Sequence, residues 1–310
     1  DLARWLVNPE NPLTARVVIN RYWLMYFGQG LVQTIEDFGS QGERPSHPHL
    51  LDWLATEFVR SKWDIKAMQK IIVMSATYRQ SSRATAKSLQ EDPRNFLLAR
   101  GPRVRLSAQA IRDQALFVGG LLVEKLGGPS VKPYQPEGLW EELAGDIAYN
   151  QSKGDDLYRR SLYTFWKRTI APPSMLNFDA SQREMCTVRE SRTNTPLQAL
   201  NLMNDVTFVE SARGLAQRLL TNKKLITPED RLIYAFRIAL ARWPKATERK
   251  ILIDSFNVNL DFYQSNFELA EKLVSVGDSL VPKGLDLKEL AAYTTVASLV
   301  LNLDETITKE

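Results

Sequence analysis

Helix start and stop signals recur along this chain so densely that they leave room for little besides helices and the turns between them. "NPLTARVVINRYWLMYFG" places Asn11 as N-cap, Pro12 at the first helical position and Gly28 where a left-handed C-cap belongs. "SHPHLLDWLATEFV" offers Ser46 as cap and Pro48 as initiator, then Leu50, Leu51, Leu54 and Phe58 at helical spacing. A third helix starts at Asp64 and repeats Ile65, Met68, Ile72 and Ala76. "DPRNFLLA" reads as a short Asp92-Pro93 start, and "SAQAIRDQALFVGGLLVEKLGG" as a helix from Ser107 to Gly127. Thr195-Pro196 and Thr227-Pro228 open later helices, the second with Asp230 in a variant capping box.

Between about 127 and 195 the texture changes. "GGPSVKPYQPEG" is rich in turn formers, with one short helix at "EGLWEELA". "YRRSLYTFWKR" is β-branched and aromatic without helical period, a strand candidate that "GDIAYN" at 145–150 would pair with as a small hairpin. The expected fold is mainly α: one compact multi-helix domain over 1–310, with N-terminal helices (1–126), an irregular middle carrying the hairpin (127–195) and C-terminal helices (196–310). The abrupt start "DLARWLVNPENP" leads us to expect a piece of a longer chain.

Composition removes several function classes. With 310 residues, 44% apolar and 25% charged, the chain is long enough to bury a sizeable core. No apolar run approaches the ~20 residues a membrane helix needs. Forty basic against thirty-six acidic residues give only +4, and the densest basic pairs, Arg159-Arg160 and Lys223-Lys224, read as solvated faces rather than a nucleic-acid stripe. One cysteine, Cys186, excludes an internal disulfide, a Cys-based zinc cluster and a C-x-x-C-H haem attachment. A Gly-rich phosphate loop, a G-x-S-x-G elbow and an H-E-x-x-H motif are all absent from the sequence.

Candidate site residues cluster on segments otherwise built for burial. His47 and His49 form a His-x-His pair, but Pro48 between them marks a helix start and no third histidine exists, so a metal is not expected. On the first long helix Arg16, Asn20 and Trp23 share a narrow sector flanked by apolar residues, which requires the arginine to meet a carboxylate or a bound anion. Arg112 borders the apolar stripe of Ile111, Ala115 and Val118, with Gly119-Gly120 marking a tight helix crossing. Arg183, Arg189 and Arg192 precede a helix N-terminus, an arrangement suited to anions unless Glu184 and Glu190 neutralise them. Cys186 reads as a packing residue.

These stretches, with "SATYRQSS", "RLSAQAIRDQAL", "FDASQREMCTVRESRTNTPLQALNLMND" and "LNLDETITKE", resemble the carboxy-terminal domain of unknown function of large planctomycete-type cytochrome-c-containing proteins. The resemblance spans nearly the whole chain. It implies sister domains in one polypeptide, among them an upstream c-type haem domain, and a periplasmic or cell-surface location; it places no haem or other cofactor in this segment. The family's recurring polar positions fall here on Arg16, Asn20, Arg21, Asp37, His47, Tyr78, Arg79, Arg105, Arg112, Asp113, Arg189, Thr193 and Asn204, while His49 stands where an acid is usual. The leading expectation is an accessory binding or interdomain-docking module. Its Arg/aromatic site for an anionic ligand or polysaccharide would draw on Arg16, Asn20, Trp23, Asp37, His47, Tyr78, Arg79, Arg105, Arg112, Arg189 and Arg192. The alternatives are an enzyme, hydrolytic or oxidative, using His47, Asp37 and arginine, and a purely structural module.

Overall fold

The computed structural model describes residues 1–144, 148–167, 169–189 and 191–309. The chain divides into two compact units, Asp1–Arg105 with Thr308–Glu310, and Leu106–Ile307. The protein is mainly helical, as the boundary signals require. No helix among the described residues is long and apolar enough to cross a membrane.

The first unit contains α1 (Leu2–Leu6), α2 (Thr14–Phe27), α3 (Pro48–Arg60), α4 (Ile65–Met74), α5 (Ala86–Glu91) and the short strand β1 (Val104–Arg105). Helix α2 begins at Thr14 rather than Pro12, because the Asn11 carboxamide accepts from the N–H groups of Leu13 and Thr14 (3.0 and 3.2 Å) and holds an Asx turn ahead of the helix. Gly28 ends it in the left-handed conformation, φ 75°. Helix α3 starts one residue later than the sequence suggests: His47 occupies the N-cap, Pro48 is at N1, and Ser46 instead donates its backbone N–H to Leu31. Asp64 caps α4 through Ala67 N–H, as expected.

The Asp92 helix start is corrected. The helix there is α5, ahead of it, opened by a Thr85–Ser88 capping box. The Asp92 carboxylate is buried and accepts from Phe96 and Leu97 N–H (2.8 Å each), folding the stretch into a turn. Ile19, Trp23, Phe27, Leu51, Leu54, Phe58, Met68 and Ile72 form the unit's core.

The second unit comprises α6 (Ala108–Gly119), α7 (Leu139–Ala144), α8 (Pro173–Asn177), α9 (Pro196–Asn204), α10 (Val206–Thr221), α11 (Pro228–Leu240), α12 (Ala246–Ser265), α13 (Phe267–Val274), α14 (Leu287–Leu301) and α15 (Asp304–Ile307). Ser107 caps α6. The helix ends at Gly119 rather than near Gly127, because Gly120 turns left-handed at φ 74°. The expected tight crossing is present: a Cβ on Gly119 would lie 2.6 Å from the Ser211 carbonyl oxygen, and one on Gly214 2.5 Å from that of Gly119. Helix α10 then packs on α14, and Leu215, Leu219, Phe236, Phe256, Tyr293 and Val296 fill the larger core. The Thr227–Asp230 capping box opens α11 as its sequence states.

The antiparallel strand pair lies outside the middle segment. It joins β1 to β2 (Thr308–Lys309), with Val104 opposite Lys309 and Arg105 opposite Thr308, and so closes the first unit. "YRRSLYTFWKR" instead starts at the end of one 3₁₀ turn (Gly154–Tyr158) and forms another (Ser161–Tyr163), and its described residues meet neighbouring backbone through isolated bridges such as Val131 to Thr164 rather than a ladder. Its proposed partner falls partly on residues 145–147, outside the described residues. Along this path the carbonyls of Leu157 and Arg159 accept from the buried Arg112 guanidinium, and those of Tyr158 and Tyr163 from Val123 and Val131 N–H.

Candidate functional site

Arg112 on α6 is fully enclosed, and its guanidinium donates to the carbonyls of Leu157 (2.8 Å) and Arg159 (2.9 Å) and to the Ser161 hydroxyl (3.2 Å). Asp113 stands 3.9 Å away and spends its Oδ1 on Ser161 N–H. Burial lowers the Arg112 pKa, opposed by the charges of Asp113 and Asp205. Backbone dipoles thus satisfy the buried fork of N–H donors at Arg112, whereas the carboxylate partner expected for Arg16 on the first long helix is present as Asp52 at 2.7 Å.

Arg159 repeats the pattern. The sequence places it on a solvated face, yet it is 1% exposed. It donates to the carbonyls of Lys125, Gly127 and Pro129 and lies 3.9 Å over the Tyr163 ring. Its neighbour Arg160 is exposed as expected. Two further arginines, Arg100 in the first unit and Arg218 on α10, also bond loop or helix-end carbonyls.

A second buried network surrounds Glu210 on α10. Its Oε1 accepts from Ser279 N–H (2.7 Å), the Tyr158 hydroxyl (2.9 Å) and Arg213 (3.2 Å), while Oε2 is buried without a hydrogen-bond partner. Arg213 also reaches the Val274 and Ser279 carbonyls. Burial, reinforced by the bond to Glu210, pushes the Tyr158 hydroxyl up to about 12. Gly277 closes over the carboxylate so tightly that a Cβ there would sit 2.2 Å from Glu210 Cδ. Sequence reasoning missed Glu210 and Arg213. Their i, i+3 spacing on an amphipathic helix was the available signal, and it reads equally well as a surface pair.

In the first unit the candidate residues separate into distinct local roles. Arg16 is partly exposed and paired with Asp52 at 2.7 Å. Asn20 is buried and forms a two-way bridge with the Val32 backbone, 2.9 Å each way. Trp23 stacks on Phe27 at 4.0 Å within the core, so the polar line of α2 is its buried face. Asp37 caps its own turn through Gly39 N–H, and the His47 ring contacts the Ser46 hydroxyl at 3.1 Å. Tyr78 packs edge-on to Tyr26 and Phe27 under the Lys309 ammonium, and burial raises its pKa. Arg79 is exposed after α4, and Arg105 lies in β1. No group of three or more His, Cys, Asp and Glu side chains is placed to hold a metal ion among the described residues.

The remaining candidates lie on the loop that enters α9. Asp179, at φ 61°, receives the N–H and hydroxyl of Thr193 (2.8 Å each), and buried Gln198 donates to the Asn177 and Thr193 carbonyls (2.9 and 3.3 Å). These bonds tie both ends of the loop to the helices. Between them Arg183, Glu184, Met185, Cys186, Arg189 and Arg192 are exposed, and the Arg183 guanidinium lies 4.5 Å from the Trp166 ring. The expected neutralisation by Glu190 falls outside the described residues. Thr195 occupies the α9 N-cap without a side-chain cap bond, and Pro196 is at N1. The loop thus displays arginines ahead of a helix N-terminus, with the exposed carboxylate of Glu184 beside Arg183 in the sequence. A separate apolar pocket, lined by Ile111, Ala115, Leu202, Phe208 and Leu301, presents only Gln114 and Thr306 as polar groups.

Fold and sites define a mainly helical protein that engages its buried arginines with its own carbonyls and, at Arg213, with the Glu210 carboxylate, and displays others on one tethered loop. The family described as "PSD1: Protein of unknown function (DUF1553)" matches residues 1–256, and the chain belongs to it. No curated protein and no solved structure matches the chain.

Proposed function

We propose that this domain is an accessory binding module that takes up acidic groups on the loop containing Arg183 and Arg189, beside Trp166. Its setting would be a larger cytochrome-c-linked polypeptide outside the cytoplasm, as the resemblance implies. One observation carries the reading. Arg112, Arg159 and Arg213 are buried and engaged by carbonyls, with Glu210 as a further partner of Arg213, whereas Arg183 and Arg189 stay exposed on a loop whose ends are fixed. Tying the ends of a loop lowers the ordering cost its cations incur on binding. The structural reading keeps Arg112 and Arg159, whose bonds hold the 125–163 segment. The enzyme reading has less support, since the bonds of Asp37 and His47 stay within their own turns.

Binding of polyglutamate and heparin, against neutral dextran as control, tests the proposal by calorimetry. Arg183→Ala with Arg189→Ala should weaken polyanion binding on the order of tenfold and leave the melting temperature unchanged. Arg192, already engaged within the protein, is kept. Equal binding of dextran and polyanion, or of variant and parent, would refute it.

A further inference from the structure

We infer that the occupant of this surface is a polypeptide segment carrying an apolar stripe with carboxylates clustered at one end. The inference rests on the reading of the arginine loop above and narrows its ligand. Helix α9 follows that loop directly and contains no charged residue. Its inner side buries Gln198 and Leu202. Its outer side leaves Leu197, Leu200 and Met203 exposed at 54%, 56% and 53%. Leu299 near the end of α14 and Leu303 in the turn after it are also exposed, on a segment joined to α9 where the Asn302 carboxamide donates to the Ala199 carbonyl at 3.5 Å. Apolar side chains of α9 and of the segment that ends α14 are thus exposed side by side, and the loop with Arg183 and Arg189 leads into the N-terminal end of α9.

Each simpler ligand uses half of this surface. A saccharide or free phosphate engages the arginines and leaves the leucines in water. A wholly apolar partner covers α9 and leaves Arg183 and Arg189 uncompensated. Helix-in-groove recognition uses both, through apolar anchors every three or four residues and charge at the margin. An anionic bilayer is the other mixed surface, but helices that lie on bilayers carry Lys and Arg along their own polar face. Helix α9 carries none, and its polar positions are Gln198, Asn201 and Asn204. Charge complementarity therefore favours a discrete peptide with its acids at one end.

The test measures fluorescence anisotropy of a synthetic amphipathic peptide, with a leucine stripe and a terminal glutamate cluster, against polyglutamate of equal charge. The peptide should bind on the order of tenfold tighter. Leu200→Ser with Met203→Ser should remove that gain and leave polyglutamate binding intact. Both positions are exposed, so an unchanged melting curve confirms that the variant folds. If polyglutamate binds but the peptide gains nothing, or the gain survives the double variant, this inference fails while the anion-loop reading stands. Loss of polyglutamate binding altogether sinks the reading beneath it. Phosphatidylglycerol vesicles serve as the third probe: if they bind in a Leu200-dependent way and the peptide does not, the occupant is lipid and the inference is overturned.

Discussion

Arg112 shows how a buried charge is accommodated when no acid lies at hydrogen-bond distance. Three oxygens converge on its fork from residues 45 to 49 positions further along the chain. Removing the guanidinium leaves those acceptors buried and bare, so Arg112→Ala should cost on the order of 3 kcal/mol. Arg112→Lys should recover little, because one ammonium cannot match two separated carbonyls. The urea midpoint at constant m-value checks both, with polyanion binding unchanged in whatever fraction stays folded. The sequence marked Arg112 because it bordered an apolar stripe. It could not mark the acceptors, since every residue carries a carbonyl and no letter distinguishes one that will face a guanidinium. For the same reason Arg159, beside Arg160, read as surface. At Asn20 the sequence revealed a polar group on a buried helix but not that Val32 would supply both its partners.

Among elements, the crossing of α6 and α10 is the most exacting contact. Helix propensity alone says that Gly119→Ala should stabilise α6 by about 1 kcal/mol. The added methyl would instead meet the Ser211 backbone at 2.6 Å, which two packed helices relieve only by moving apart. Gly119→Ala is therefore expected to destabilise by about 1–3 kcal/mol, measured by thermal or urea unfolding. The sign of the change separates the two effects. Two adjacent glycines within a helical stripe made this crossing legible. The facing glycine, Gly214, sits in "SARGLAQ" with nothing to link it to Gly119. Helix starts were legible to within a residue or two wherever the cap is local, as at Asp64, Ser107 and Thr227. They slipped at Asn11 and Ser46, where the side chain or backbone served a turn instead.

For the molecule as a whole, acid stability is the property most open to measurement. Within the second unit Arg242 bridges Glu248 at 2.7 Å and Glu305 at 2.6 Å, tying the end of α11 to the first turn of α12 and to α15. Hydrogen bonding to Arg242 holds the Glu248 carboxyl at about 2, against an ordinary 4.5. A carboxyl depressed in the folded state stabilises fully above its unfolded pKa and loses that contribution as pH falls through the folded value. Stability should therefore decline between about pH 4.5 and 2, and Glu248→Gln should lower neutral stability while flattening that acid limb. Denaturant midpoints taken across that range decide it. Both partners are partly solvated, so the effect should be smaller than the shift alone suggests.

The sequence by itself determined that this chain would be helical, where most helices begin, and that several arginines would have to be accommodated inside. Those properties depend on side-chain pattern and on caps within a few residues of one another. Tertiary structure alone decided that the chain's end returns to pair β2 with β1, that backbone oxygens are the main acceptors of Arg112 and Arg159 while Arg213 meets both carbonyls and the Glu210 carboxylate, and that Arg183 and Arg189 remain displayed outside. The strand pairing and the bonds of Arg112 and Arg159 are meetings of groups distant along the chain, and backbone polarity, identical at every position, leaves no trace in the letters.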